Sequence, residues 1–277
     1  MDKSKKFECV LIENNGDGIT WVTLNRPEKR NAMSPQLHFE MEEVMMGLET
    51  DADTQVIVLT GAGESWNGGQ DLKEFFRNTD GNEEAQFKAL TASRHWNWEL
   101  LSRSRKVTIA MVNGYCFGGA FMPLIACDFV VTDEAATYGL SEVNWGIVPA
   151  GLVTKVFLDA TSFRETMLYA MTGRTFDGKQ AVEMKLANIA VPQDQLRDET
   201  VKLANELMAK GPDVLAAIKQ AVHASLKIDD TWTAYDYLMT KNKALQFSDR
   251  DGTRDRGIEE FIDKKSYRPG LEPVKKG

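Results

Sequence analysis

Two glycine-rich segments carry the residues of this chain that are best suited to do chemistry. They are residues 61–71 (GAGESWNGGQD) and 113–128 (NGYCFGGAFMPLIACD), and each follows a short β-branched run. Glycine lacks a Cβ, so the backbone can approach a ligand closely and direct its N–H groups at it. Two such turns could supply a pair of N–H donors to one developing oxyanion, which is the arrangement that stabilises enolates and tetrahedral intermediates.

One carboxylate accompanies the two turns. Glu142 follows the second turn in TYGLSEVNWG, whereas the apolar Met122 lies inside that turn. In an apolar pocket the pKa of Glu142 would rise, which suits acid–base chemistry near neutral pH. Methionine cannot transfer a proton. A single acid beside the two turns is the clue to the reaction type, and the alternative is that Glu142 lies on a solvated loop.

Strands and helices must position these turns, and the hydrophobic pattern predicts an N-terminal α/β part. Residues 14–18 (NNGDG) indicate a hairpin turn. Ser34 and Pro35 are typical of a helix N-cap and first turn, so a helix is expected over residues 36–49. Helical patterns also begin near Asp71 and cover residues 96–101. The predicted strands are 7–13, 19–24, 56–60, 107–112, 129–132 and 137–139.

The C-terminal part is predicted to be almost entirely helical from Val153 onward, with only residues 189–191 (IAV) expected as a strand. No linker rich in proline, serine or glycine separates the two parts, so we expect them to pack together. The predicted helices are 164–171, 178–184, 195–209, 213–226, 232–245 and 253–263.

Composition limits the function classes. The chain has 277 residues, 43% of them hydrophobic, and a net charge of -8, so it can bury a sizeable core and is not expected to bind nucleic acid. We expect no secretory signal, no membrane span and no metal site. His38, His95 and His223 lie outside the two turns. Three cysteines, Cys9, Cys116 and Cys127, are expected to be reduced and buried in a cytoplasmic protein.

Five motifs occur along the chain in a characteristic order and spacing. They are 24–33 (LNRPEKRNAM), 61–74, 111–128, 138–149 (YGLSEVNWGIVP) and 171–177 (MTGRTFD). Together they resemble the crotonase (enoyl-CoA hydratase/isomerase) superfamily. Within it, the segments NRPEKRNAMSP, DLKEFFR and SEVNWGI most resemble the hydroxycinnamoyl-CoA hydratase-lyases (feruloyl-CoA hydratase/lyase). The resemblance implies an α/β spiral of ββα units over residues 1–200, with two roughly perpendicular sheets, and a helical trimerisation region over residues 201–277.

The resemblance also implies a reaction. Such lyases add water to a 4-hydroxycinnamoyl-CoA thioester such as feruloyl-CoA and cleave the adduct to an aromatic aldehyde, such as vanillin, and acetyl-CoA. CoA enters as part of the substrate, with no permanently bound cofactor and no metal, and the protein is a homotrimer or a dimer of trimers. The alternatives are an enoyl-CoA hydratase or isomerase that does not cleave a carbon–carbon bond, and a non-catalytic CoA-binding paralogue.

By resemblance, the backbone N–H groups of Gln70 and Gly119 form the oxyanion hole. Glu142 matches the glutamate that delivers water or a proton to the Cβ side of the substrate. Two-glutamate hydratases carry their second acid at the position of Met122, so this chain is not expected to be an ordinary hydratase.

The resemblance extends to the two ends of the substrate. A tyrosine that holds the 4-hydroxyl group corresponds to Tyr237, reaching in from another subunit, although the neighbouring Tyr235 is an alternative. A second tyrosine position holds Phe75, which has no hydroxyl. The predicted substrate contacts are Phe75, Met122, Ala150 and Tyr237, and the predicted CoA contacts are Lys29, Arg30, Gly68, Leu72, Ser141 and Trp145.

Overall fold

The chain begins with a β-hairpin, as the sequence predicts. The computed structural model describes residues 5–248 and 252–266. Strands β1 (Val10–Asn14) and β2 (Ile19–Leu24) pair antiparallel. In the turn, Gly16 and Gly18 have φ angles of 79° and 87°, which residues with a Cβ rarely adopt. The first strand is shorter at its start than the predicted strand over residues 7–13.

The hairpin forms the edge of a six-stranded sheet. The other strands of this sheet are β3 (Val56–Gly61), β5 (Val107–Val112), β7 (Phe129–Asp133) and β10 (Ile189–Val191). The strand order is β1-β2-β3-β5-β7-β10, and from β2 onward neighbouring strands are parallel. Every residue of β3 and β5 is buried, as expected for a parallel sheet covered on both faces.

A second sheet has four short strands, β4 (Ser65–Asn67), β6 (Tyr115–Phe117), β8 (Thr137–Gly139) and β9 (Thr175–Asp177), in the order β4-β6-β8-β9. Strands β4 and β6 lie inside the two glycine-rich segments, which are therefore strands as well as turns. Strand β9 corrects the prediction that only residues 189–191 form a strand after Val153. A three-residue strand has too few positions to show an alternating pattern, and of these four strands the sequence predicts only β8.

A ββα unit repeats along the chain, with one strand in each sheet. The predicted α/β spiral fold is thus confirmed in its repeat. The first helix begins at the predicted cap, where Ser34 Oγ accepts the Leu37 N–H at 3.2 Å. The α-helices are α1 (Pro35–Glu49), α2 (Glu83–Arg94), α3 (Leu101–Arg103), α4 (Phe121–Ala126), α5 (Val153–Ala160), α6 (Phe163–Thr172), α7 (Gly178–Glu183), α8 (Leu196–Met208), α9 (Pro212–Ser225), α10 (Thr231–Ser248) and α11 (Thr253–Ile262).

Shorter helical turns complete the connections. Two of them, Leu72–Arg77 and His95–Leu100, are π-helical and lie on either side of α2. The remaining turns are Pro27–Lys29, Gly118–Ala120, Glu142–Trp145 and Gln193–Gln195.

The six-stranded sheet separates two hydrophobic clusters, because successive side chains along a strand point to opposite faces. Val22, Ile57 and Ala110 lie in the cluster that includes α1 and the second sheet. The alternate residues Trp21 and Val58 lie in the cluster covered by α8. Helix α8 crosses residue 200, and the division of the chain at that residue stays a prediction.

The C-terminal helices are anchored to the sheet region by a buried ion pair. Lys219 Nζ of α9 lies 3.0 Å from Asp128 Oδ2 and donates to Leu101 O at 2.8 Å. Helix α10 then packs on α9.

Buried thiols and the absence of long apolar helices characterise the described part of the chain. All three cysteines are free and buried, as expected. Burial raises the pKa of Cys9 to about 11 and that of Cys127 to about 12, so these thiols are poor nucleophiles. None of the helices in residues 5–248 and 252–266 combines the length and apolarity needed to cross a bilayer.

Candidate active site

A cavity of about 820 Å³ opens where the two glycine turns meet. It is bounded by both turns, by α2 and by the segment from Ser141 to the start of α5. Among the predicted residues, Gln70, Gly119 and Glu142 all line it. The structure therefore brings the two candidate N–H donors and the candidate acid to one site.

The first turn leaves the Gln70 N–H available. On one side of Gln70, Gly69 O accepts the Met33 N–H at 2.7 Å, and on the other side the Asp71 N–H donates to Met33 O at 3.0 Å. These two bonds form a parallel β-bridge between Met33 and Gln70. In such a bridge the N–H of the central residue points away from the partner strand. Among the described residues, no acceptor for it is found.

The second turn places the Gly119 N–H beside it. Gly119 lies in the first helical turn before α4, where N–H groups have no intrahelical partner and carry a partial positive charge. A Cβ added to Gly119 would lie 3.5 Å from Gln70 N. A Cβ on Gly69 would come within 2.6 Å of Phe117 O, so glycine is required there for the turns to approach. The two donors can therefore address one oxygen atom.

Glu142 faces this pair across Gly118. A Cβ on Gly118 would lie 3.1 Å from Glu142 Oε1, so the carboxylate rests against the glycine backbone. Glu142 Oε2 is buried and has no hydrogen-bond partner among the described residues. Desolvation raises the pKa of Glu142, against the opposing effect of a hydrogen bond from its own backbone N–H. A desolvated carboxylate with an unused oxygen is suited to take up and return a proton.

The wall of the cavity beside the acid is apolar. Phe75 and Met122 are 6% and 7% exposed, and both line the cavity together with Ala150. The Phe75 ring packs edge-on against Phe76, with 5.2 Å between the ring centroids. This wall offers packing to an aromatic or aliphatic acyl group and carries no acid at position 122.

The predicted CoA contacts fall mostly at the same cavity. Gly68, Leu72, Ser141 and Trp145 line it, and so does Arg30. The Arg30 guanidinium lies 5.0 Å from the centroid of the Tyr115 ring, a cation–π contact that leaves its positive charge near the opening.

Two predicted residues lie elsewhere. Lys29 is exposed and does not line the cavity. Tyr237 is half-buried on α10 and also lies outside the lining of this single chain. Their roles in binding stay predictions.

Comparison with known proteins identifies the family. The family model described as "Enoyl-CoA hydratase/isomerase" matches residues 14–268. The chain belongs to this family. The crotonase resemblance drawn from the five motifs is therefore confirmed.

Individual relatives agree with that membership. The chain is 48% identical to the "Hydroxycinnamoyl-CoA hydratase-lyase" of Pseudomonas fluorescens over 98% of each chain. It is also similar to a solved enoyl-CoA hydratase from Bacillus anthracis, with a TM-score of 0.80, 26% identity, and coverage of 93% of this chain and 97% of the other. An enoyl-CoA hydratase structure from Mycobacterium smegmatis shares the fold, with a TM-score of 0.85 at 22% identity over 93% and 97% of the two chains.

Helix α2 contributes a wall of the cavity that the sequence analysis missed. Phe87, Leu90, Thr91 and Arg94 all line the cavity and are spaced as one helical face. The signal in the sequence is Asn82 followed by Glu83, which is typical of a helix N-cap and first turn. In the structure Asn82 Oδ1 accepts the Ala85 N–H at 3.0 Å, and Glu83 begins the helix after this cap. Helix α2 therefore forms part of the cavity wall in this family member.

The NRPEKRN motif has a structural role beside any contact with CoA. Asn31 is fully buried, and its Nδ2 donates to Ala62 O at 2.9 Å and to Ser65 O at 2.7 Å. Arg26 pairs with Asp71 Oδ2 at 3.1 Å, one residue after Gln70. The motif thus holds the first glycine turn in place.

Proposed function

We propose that this chain is a hydroxycinnamoyl-CoA hydratase-lyase. It converts a 4-hydroxycinnamoyl-CoA thioester, such as feruloyl-CoA, and water into an aromatic aldehyde and acetyl-CoA. The observation that carries the proposal is the 48% identity to the Pseudomonas fluorescens hydratase-lyase over 98% of both chains. The apolar cavity with one half-buried acid and two adjacent N–H donors supports it.

The first step is hydration. The Glu142 carboxylate takes a proton from water while the water oxygen bonds to Cβ, and the electrons of the double bond move onto the thioester oxygen. The Gln70 and Gly119 N–H groups stabilise the resulting enolate. Protonated Glu142 then returns a proton to Cα, which gives the β-hydroxyacyl thioester and restores the carboxylate.

The second step breaks the Cα–Cβ bond. Glu142 removes the proton of the β-hydroxyl group, the C–O bond becomes the aldehyde carbonyl, and the bonding electrons move into the acetyl-CoA enolate. The same two N–H groups hold this enolate. Glu142 finally protonates its Cα, so one acid serves both steps and no second acid is required at Met122.

The ring of the substrate takes part in the proposed reaction. A 4-hydroxyl group on the ring assists attack at Cβ by delocalising charge into a quinone-methide-like form, and Tyr237 of a neighbouring copy holds that hydroxyl.

The active assembly is a homotrimer or a dimer of trimers. Its location is the cytoplasm, in keeping with the three buried free thiols.

The deciding experiment is incubation of the purified protein with feruloyl-CoA, with vanillin and acetyl-CoA measured in parallel. Equal amounts of both products are expected. Accumulation of the β-hydroxyacyl thioester alone would replace the lyase with a hydratase. Binding of CoA thioesters without turnover of any acyl-CoA in a panel with and without the para-hydroxyl would support a non-catalytic protein.

A further inference from the structure

The Gln70 side chain is held by a buried hydrogen-bonded chain that the reaction steps above do not use. Gln70 Oε1 lies 2.8 Å from His38 Nε2, and Gln70 Nε2 donates to Ser93 Oγ at 3.3 Å. His38 is fully buried on α1. Asn97 Nδ2 also donates to Ser93 Oγ, at 3.1 Å.

The direction of each bond follows from the donor at the far end. Trp96 Nε1 can only donate, and it lies 2.8 Å from His38 Nδ1. Nδ1 is therefore the acceptor, and the proton of the neutral ring is on Nε2, from which it donates to Gln70 Oε1. Burial lowers the pKa of His38 to about 4, so the ring stays neutral at physiological pH. This polarity fixes which way the Gln70 amide points.

The same side chain touches the other half of the oxyanion hole. A Cβ on Gly119 would lie 3.1 Å from Gln70 Cγ. The backbone on both sides of Gln70 is already bonded to Met33. With the side chain also fixed at both polar atoms, the peptide that carries the Gln70 N–H has little freedom to rotate.

We propose that His38 is a positioning residue: acting through the Gln70 side chain, it holds the Gln70 backbone N–H towards the thioester oxygen of the substrate. The inference rests on the proposed acyl-CoA chemistry and adds a residue to it. His38 does not contact the substrate. This role also explains why position 70 holds the polar residue glutamine, although only its main-chain N–H is proposed to meet the substrate.

The test uses two variants that remove the hydrogen bonds but keep the packing, His38→Phe and Gln70→Met, and their double variant. A held N–H matters more for the enolate than for the bound ester, so kcat should fall about 10- to 100-fold in each single variant while KM changes little. Because both changes break one chain, the double variant should be no slower than the single variants. His95→Gln, a histidine outside the cavity, should keep wild-type kcat.

A second readout separates positioning from stability. The thioester 4-dimethylaminocinnamoyl-CoA absorbs at longer wavelength when hydrogen bonds polarise its carbonyl group, so binding to the wild type should shift its spectrum to the red. His38→Phe and Gln70→Met should reduce that shift at saturating protein. If His38→Phe does not fold, Gln70→Met carries the same test.

Several outcomes would overturn the inference. One is a red shift in both variants that is as large as in the wild type. Another is that the losses of kcat multiply in the double variant. The third is that the wild-type protein gives no red shift. The spectral readout does not require carbon–carbon cleavage. A red shift that is lost in the variants, together with no vanillin from the wild type, would reject the proposed lyase reaction and keep the role of His38.

Discussion

In the proposed reaction Glu142 acts in turn as base and as acid, because Met122, which also lines the cavity, cannot transfer a proton. Its carboxylate is desolvated, which raises its pKa, and one of its oxygens has no partner among the described residues. Both properties favour rapid exchange of a proton with substrate. They also make the reaction depend on the ionisation of this one group.

Replacement of Glu142 by glutamine should lower kcat by about 10²- to 10⁴-fold, the usual contribution of acid–base catalysis. In the wild type, the attacking water needs the ionised carboxylate, so kcat/KM should fall as pH falls through the raised pKa. That decrease should begin at a higher pH than an ordinary carboxyl group would give. Initial rates with feruloyl-CoA across pH measure both effects.

The control is Glu134→Gln, which removes a carboxylate that pairs with Lys179 away from the cavity. It should keep the wild-type rate and pH profile. A Glu142→Gln variant with wild-type rate and the same acid limb would show that another group carries the proton.

Gly118 tests how closely the acid is held. Gly118→Ala places a methyl group 3.1 Å from Glu142 Oε1 at a φ of 53°. We expect a loss of about 1–2 kcal/mol in stability from the backbone conformation and a clear fall in kcat from displacement of the carboxylate. Gly16→Ala has the same type of strain, at a φ of 79°, with open space around it. Its stability should fall similarly while kcat stays unchanged, and equal kcat in both variants would contradict this account.

Among the secondary-structure elements, the sequence predicts those that are long or sharply marked. Strands β2, β3 and β5 and helix α1 have continuous apolar patterns or a capped start, and they were predicted within one or two residues. The short strands β8 and β10 were also predicted. Strands β4, β6 and β9 are equally short but have glycines close by on both sides, a pattern that indicates turns, and they are strands because a second sheet forms around them.

The candidate site likewise combines residues that the sequence reveals with residues that only the fold brings together. Gln70, Gly119 and Glu142 belong to motifs that are local in sequence, and the structure brings them together. His38, Ser93 and the cavity wall on α2 come from elements that meet only after folding. Sequence reasoning placed His38 in a helix but could not connect it to Gln70, because that contact spans 32 positions.

The stability of the folded protein should decrease at acid pH because His38 is buried on α1. Its pKa of about 4 in the folded protein lies below the ordinary 6.5, because burial disfavours the charged ring. The corresponding stability is fully present above pH 6.5 and is lost as pH falls towards 4, to a limit of about 3 kcal/mol.

Denaturant unfolding at fixed protein concentration between pH 7 and pH 4.5 measures this dependence. His38→Gln cannot titrate there, so its free energy of unfolding should fall less steeply than that of the wild type. Carboxyl groups titrate in both proteins and cancel in the comparison. Parallel curves would contradict a buried neutral histidine.

The C-terminal helices of the molecule carry exposed apolar side chains. Ile218 and Val222 on α9 and Leu226 directly after it are spaced by one helical turn and are 54%, 56% and 77% exposed. On α10, Trp232 is 74% exposed. Exposed apolar residues grouped in this way favour association of copies.

We expect light scattering to give three or six times the mass of one chain. Val222→Asp should lower that mass by placing a charge in the interface, whereas Leu11→Asp, at an exposed position of β1, should not. A fully active wild-type monomer would contradict the proposed assembly.

In the proposed assembly, a neighbouring copy completes the acyl site. Tyr237 lies outside the cavity of a single chain, so it can hold a 4-hydroxyl group only if another copy brings it there. In an inactive Glu142→Gln background, Tyr237→Phe should weaken binding of 4-hydroxycinnamoyl-CoA about tenfold, the upper end of the value of one neutral hydrogen bond. Binding of cinnamoyl-CoA, which lacks the hydroxyl, should be unchanged, and Tyr235→Phe is the matched control. Equal losses for both thioesters, or a loss at Tyr235 instead, would remove Tyr237 from the site.

If Val222→Asp yields monomers, these should lose the preference for the hydroxylated ring, because they have no neighbouring copy to supply Tyr237. The apolar wall formed by Phe75 and Met122 does not distinguish the two rings.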